Sequence, residues 1–188
     1  MQRGPTLATK MERLPSDFLD SIGAQTSPLT QRILLMIADH DLGHLRTAIT
    51  ASRKAREKGN APYGAVLVSA QGHVLLMVEN TEVQDKDCTA HAETNLVRQA
   101  SRRLDRDVLR EATIYASGEP CPMCAGAIYN SGIGRLVFAL GQPRMYEIAG
   151  GTGGLRLRAS EVLAHGTPRV IVEGPALEDE AAEVLLGR

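Results

Sequence analysis

His91-Ala92-Glu93 and Pro120-Cys121-Pro122-Met123-Cys124 are the stretches from which the rest of the chain is read. They hold one imidazole, two thiols three positions apart, and a carboxylate two residues after the histidine. Zinc favours nitrogen and sulfur donors, and a catalytic zinc keeps three protein ligands with a fourth position for water. His91, Cys121 and Cys124 supply that number. Pro122 suits a first helical position, which makes Cys121 an N-cap, where free backbone N–H groups and the helix dipole favour a thiolate. Glu93 stands close enough to His91 to reach water at the metal without ligating the ion, and is the candidate proton carrier.

Ala92, Leu96, Ala100 and Leu104 recur at spacing four, so a helix begins at His91 and carries Glu93 in its first turn. Thr113 to Ala116 reads as a short strand leading to the helix that starts at Cys121 or Pro122 and ends at Ser131-Gly132. Arg135 to Leu140 and Arg169 to Glu173 read as a fourth and a fifth strand. Upstream, Gly64 to Ala70 and His73 to Asn80 flank Gln71-Gly72 as an antiparallel hairpin. Their nearly continuous hydrophobes predict strands covered on both faces. Asp41 starts or restarts a helix with Leu42, Leu45, Ala48 and Ile49 on one face, stopped by Gly59-Asn60. Residues 81–90 are polar and turn-like. Gly150 to Gly154 reads as a loop near the site, without the strand and helix that a phosphate cradle needs. Leu177 to Leu186 is an amphipathic helix with an acidic start. The alternation predicts an α/β fold, a three-layer α/β/α sandwich on a central mixed five-stranded sheet.

With 188 residues, 43% of them hydrophobic, the chain suits one domain with a proper core. Residues 1–26 read as a poorly defined N-terminal extension, and Ser27-Pro28 as the helix start that opens the domain at 27–188. A net charge of −1 gives no footprint for a polyanion. Three cysteines argue against a disulfide framework and for a reducing compartment, with the cytoplasm the best fit. The first thirty residues have no apolar core of signal-peptide length, and no run approaches a membrane span.

His-x-Glu followed by Pro-Cys-x-x-Cys is the signature of zinc-dependent deaminases, and the chain resembles the cytidine deaminase superfamily. It is similar to the branch that holds guanine deaminases, fungal-type cytosine deaminases and tRNA adenosine deaminases. The resemblance runs from about Leu42 to Leu186 and includes Pro62-Tyr63-Gly64-Ala65-Val66, Thr89 to Glu93, Glu119 to Cys124 and Gly134-Arg135-Leu136-Val137-Phe138. It implies one zinc per chain on His91, Cys121 and Cys124, hydrolytic deamination of a nucleobase or nucleoside with Glu93 as acid and base, and a homodimer. It also implies substrate contacts from the Asn80 side chain, the Ala92 backbone and the wall residue Tyr63, with Glu147 as a second proton shuttle and Tyr146 beside it. The Glu-Pro-Cys-Pro-Met-Cys wording and Asn80 lean to guanine or a related aminopurine. Two departures from the guanine deaminase pattern stand out, Ser117-Gly118-Glu119 before the cysteines and Thr94-Asn95 after His-Ala-Glu.

Other readings compete with this one. Cys88 lies three residues before His91, so a closed Cys₃His structural zinc module acting as a partner-binding scaffold is open. A redox Cys-x-x-Cys would leave His91 and Glu93 unexplained. A tRNA or other nucleic-acid base editor would need basic surface at its mouth, whereas Glu178-Asp179-Glu180 and Glu183 make the last helix acidic. His40 and His44 lack the glutamate of a metalloprotease motif. Arg53, Lys54, Arg56 and Lys58 read as a solvated helix end that complements the dipole.

Overall fold

The computed structural model describes residues 37–151 and 154–187. The expected extension over 1–26 and the helix start at Ser27-Pro28 lie outside these residues.

In chain order the elements are α1 (Asp39–Glu57), β1 (Gly64–Val68), β2 (Val74–Glu79), α2 (Glu82–Asp85), α3 (Ala92–Arg103), α4 (Arg106–Glu111) and β3 (Thr113–Gly118). There follow α5 (Pro122–Ser131), β4 (Arg135–Leu140), α6 (Gln142–Ile148), α7 (Ala159–Ala164), β5 (Ile171–Glu173) and α8 (Glu178–Leu186). The five strands make one sheet in the order β2-β1-β3-β4-β5. β1 runs antiparallel to β2 and β3, while β3, β4 and β5 run parallel. The start of β1 and the ends of β2, β3 and β4 therefore meet at one margin of the sheet.

Strand side chains alternate between faces, and both faces are filled. Ala65, Leu67, Ile114, Ala116, Leu136 and Phe138 pack one way, against Leu96 and Ala100 of α3, Ile128 of α5 and Leu163 of α7. Their sequence neighbours Val66, Val68, Tyr115, Val137 and Ala139 pack the other way, against Leu45, Ala48 and Ile49 of α1 and Ala181, Ala182 and Val184 of α8. This is the expected three-layer α/β/α sandwich.

Continuous hydrophobes predict full cover for both strands of the hairpin, and this holds for β1, whose five residues are all buried. It fails for β2, where Val74 is 49% and Met77 38% exposed. The reason is position: β2 is the sheet's edge, with β1 on one side only.

Gly64 lets α1 lie directly on β1. A Cβ there would sit 2.4 Å from the Ala48 carbonyl oxygen and 2.5 Å from the Ser52 nitrogen, closer than any side chain permits. Asp41 caps α1 through the Ala38 N–H at 2.9 Å and fastens the helix to the sheet. It accepts the Tyr115 hydroxyl of β3 at 2.5 Å and both terminal nitrogens of Arg135 of β4 at 2.8 and 3.0 Å. Arg135 in turn donates to Glu173 of β5 at 2.7 Å. No helix among the described residues is long and apolar enough to cross a membrane.

Candidate metal centre and active site

His91 is the N-cap of α3 and Cys121 the N-cap of α5, with Pro122 opening the helix as expected. Two helix N-termini thus face one point, and each brings the positive end of its dipole to the sulfur and nitrogen donors. The His91 Nδ1 atom lies 3.7 Å from Cys121 Sγ and 3.6 Å from Cys124 Sγ. All three donor atoms lie within 4.8 Å of one another. A zinc ion bound at about 2.05 Å to nitrogen and about 2.3 Å to sulfur in a tetrahedron holds those atoms about 3.6 Å apart. The spacing is that of a tetrahedral edge, so the group fits the ion the signature implies.

Cys88 is exposed and stands outside this group, so the closed four-ligand module is not formed. Both cysteines are free thiols. The neighbouring Cys124 sulfur and the His91 ring hold Cys121 down to about 4 against the opposing effect of burial. The Cys121 sulfur and burial push Cys124 up. His91 is raised, first by its bond to Cys121 and against burial. Its other ring nitrogen, Nε2, faces the Glu82 carboxylate at 3.8 Å.

Glu93, in the first turn of α3, is only 5% exposed. Burial lifts its carboxyl to about 7, with the Cys121 sulfur raising it further and its own backbone N–H, His91 and the Cys124 sulfur opposing. Ala92 is fully buried at the first helical position, where a backbone N–H has no partner within the helix.

Tyr63 enters β1 half-buried and packs against the core face that carries α3 and α5. Burial raises its hydroxyl pKa, and the charges of Glu93, Tyr146 and Cys121 raise it further. Gly118, at the end of β3, makes room for it: a Cβ there would meet Met145 Sδ at 2.8 Å and the Tyr63 ring at 3.2 Å. Asn80 is 1% exposed at the end of β2. Its backbone N–H donates to the Tyr63 carbonyl at 2.9 Å, and its side-chain oxygen accepts the Glu82 N–H at 3.0 Å.

Tyr146 and Glu147 lie on α6, ahead of the expected loop at Gly150 to Gly154, and the two candidates part company there. The Tyr146 hydroxyl donates to the Leu155 carbonyl at 2.9 Å, and Arg156 lies over its ring. Glu147 is exposed and lines a surface groove with Arg144, Tyr146, Arg156 and Pro175.

Two buried polar residues, named from the sequence only as departures from the guanine deaminase pattern, hold the turns that carry the donors. The Asn95 amide nitrogen donates to the Glu79 carbonyl, the Thr81 hydroxyl and the Ala90 carbonyl at 3.2, 3.0 and 3.1 Å, tying the end of β2 to the turn before His91. Glu119 accepts the N–H groups that begin α6 and α7, from Gln142 at 2.9 Å and Ala159 at 3.1 Å, and the Arg158 guanidinium. It thereby fastens the cysteine turn to both helices. A carboxylate directly before Pro120, ahead of a buried helix start, was the available signal.

The family model for the cytidine and deoxycytidylate deaminase zinc-binding region matches residues 39–140. A probable cytosine deaminase of Schizosaccharomyces pombe is 36% identical over 77% of this chain and 90% of its own length. The tRNA-specific adenosine deaminase of Bacillus subtilis is 33% identical over 76% of this chain and 84% of its own. The guanine deaminase of Nitrosomonas europaea shares the fold, with a TM-score of 0.67 over 93% of this chain and 92% of that one, at 22% identity. With the donor group and the sheet order in agreement, the chain belongs to the zinc-binding cytidine and deoxycytidylate deaminase family.

Proposed function

We propose that this chain hydrolyses the exocyclic amine of a small oxo-amino base, guanine or a related aminopurine first and cytosine second. As a member of its family it is a zinc-dependent hydrolase of C–N bonds. Asn80 carries the choice of base. Its Oδ1 is committed to the Glu82 N–H, so the group it can offer a ligand is the amide N–H₂. A donor calls for an acceptor on the ring. Guanine and cytosine both have a carbonyl one ring nitrogen away from the amine-bearing carbon to accept from it, whereas adenine offers only ring nitrogens. The Schizosaccharomyces pombe relative favours cytosine as the second candidate. The acidic first turn of α8, with Glu178, Asp179 and Glu180, disfavours a polyanionic substrate.

Zinc held by His91, Cys121 and Cys124 would supply Lewis acidity and a water of lowered pKa. Glu93 takes one proton from the attacking water and gives it to the ring nitrogen beside the amine-bearing carbon. It then passes the second proton to the amine as the C–N bond breaks. The water oxygen becomes a ring carbonyl and the nitrogen leaves as ammonia. The Tyr63 ring forms one wall and the Ala92 N–H faces the base edge. Glu147, being exposed, has no part in this scheme.

The test is ammonia release from guanine, cytosine, adenine, their nucleosides and an anticodon stem-loop RNA. Guanine or cytosine should be turned over by the wild type. Glu93→Ala should keep its zinc and lose turnover by about 100-fold or more. Normal turnover by Glu93→Ala would end the proposed mechanism, and release from the RNA alone would end the small-base reading.

A further inference from the structure

We propose that Thr94 is a positioning residue of the metal centre, whose hydroxyl donates a hydrogen bond to the Cys124 sulfur and thereby limits the electron density that sulfur gives the ion. The inference rests on the metal-binding reading of His91, Cys121 and Cys124 and is independent of the substrate.

The Thr94 hydroxyl lies 3.4 Å from Cys124 Sγ, a bonding distance for the larger sulfur atom. Helical threonines usually turn the hydroxyl back to the carbonyl four residues earlier. In α1 this is what happens: Thr47 bonds the Gly43 carbonyl at 3.1 Å and Thr50 the Arg46 carbonyl at 2.9 Å. For Thr94 the corresponding carbonyl is that of Ala90, ahead of the His91 N-cap, and it already accepts from the Thr81 N–H at 3.0 Å and the Asn95 amide at 3.1 Å. The hydroxyl is directed across to α5 instead, and Cys124 is its side-chain partner among the described residues. Thr94 and Asn95, the two departures after His-Ala-Glu, thus work together: one takes the local acceptor, and the other is left to reach the sulfur.

The direction of the bond follows from the chemistry. A metal-bound thiolate has no proton, so the hydroxyl must be the donor. Cys124 is fully buried, and a hydrogen bond in such a place is stronger than at the surface. A donor drawn up to a thiolate ligand stabilises charge on the sulfur and makes the ion a stronger electron acceptor. Isolated thiolate ligands lean the other way, since each sulfur quenches the charge of the ion. Thr94 offsets part of that quenching on the sulfur ligand most shielded from water.

Cobalt(II) in place of zinc reads this directly, because the thiolate-to-cobalt charge-transfer band tracks the energy of the sulfur electrons. Wild type, Thr94→Val and Thr94→Ser are loaded with cobalt(II) to one equivalent, with far-ultraviolet circular dichroism to confirm folding. In Thr94→Val, which keeps the shape and removes the hydroxyl, the band should move to longer wavelength. Thr94→Ser should return it toward the wild-type position. A folded, cobalt-loaded Thr94→Val with an unmoved band overturns the proposal. So does a shift that serine fails to reverse, since that would follow from packing. A wild type that takes up no cobalt removes the metal reading and this inference with it, whatever base the enzyme acts on.

Discussion

Asn80 uses two atoms for two tasks, and they can be separated. Its oxygen holds the start of α2 through Glu82, and under the proposed function its amide hydrogens are offered to the base. Asn80→Asp keeps the acceptor and replaces the donor by a second acceptor. We expect a melting temperature close to wild type and kcat/KM on an oxo-amino base about 100-fold lower. Asn80→Ala loses both tasks and should melt lower as well. Steady-state kinetics beside thermal melts separate the two variants, and an Asn80→Asp enzyme of unchanged kcat/KM would show that the amide does not touch the base. His91, Glu93, Cys121 and Cys124 were legible because their chemistry is local: a ligand at a helix start and a carboxylate two residues on are patterns in one dimension. Thr94, Asn95 and Glu119 were not, because each acts on atoms that folding brings to it from another element. Tyr63 was expected from the sequence as a wall residue, and its packing on the core face that carries α3 and α5 could be seen only in the fold.

Among the elements, the link between α1 and the sheet is the one most open to attack. Gly64→Ala would push a Cβ into the backbone of Ala48 and Ser52, which cannot yield as a side chain could. The cost should be on the order of 3 kcal/mol, seen as a lower denaturation midpoint with an unchanged slope. Asp41 adds a pH dependence. Burial alone would raise its carboxyl, but the bonds from Arg135 and Tyr115 outweigh it and hold it at about 2, below the ordinary 3.8. The folded state therefore binds this proton less readily than the unfolded chain does. Its stabilising effect, about 2 kcal/mol, is complete above pH 4 and lost as pH falls from about 4 to about 2. Asp41→Asn should lower stability at pH 7 and flatten the acid limb of a stability curve, and a variant with the wild-type limb would refute this. Long elements were readable from the sequence, since α1, α3, α5 and strands β1 to β4 show their period over enough residues, while the three-residue β5 is only the end of the run expected from Arg169. The short helices α2, α4, α6 and α7 run for 4, 6, 7 and 6 residues, too few for a period to declare itself. The edge position of β2 was hidden for another reason: strand order is not written in any one strand.

For the molecule as a whole, the metal is expected to serve chemistry more than folding. Two filled core faces on a five-stranded sheet do not depend on a zinc staple. A strong chelator should abolish turnover yet leave a cooperative melting transition, lowered by the few kcal/mol that ligand linkage allows. Collapse of the circular dichroism spectrum on chelation would assign the ion a structural role after all. Turnover of a neutral base should also change less than about twofold between low and moderate salt, whereas a tRNA substrate would show the steep loss of counterion-release binding.

The alternation of β3 between the two faces has a consequence for how such a protein can change over generations. Ile114 and Ala116 face one layer, Tyr115 the other, and the cysteine turn follows directly from the strand's end. One inserted residue in β3 would exchange its faces and rotate both thiols away from His91. The described residues between α6 and α7 are held from α6, by Gln142 and Tyr146 on the Leu155 and Leu157 carbonyls, and by Glu119 at the two ends of the stretch. These bonds reach none of the metal donors, so insertions and deletions can accumulate there while the metal centre stays intact. New substrates are therefore most accessible to this scaffold by remodelling residues 149–157, and a library diversified in that stretch should retain zinc in most of its members.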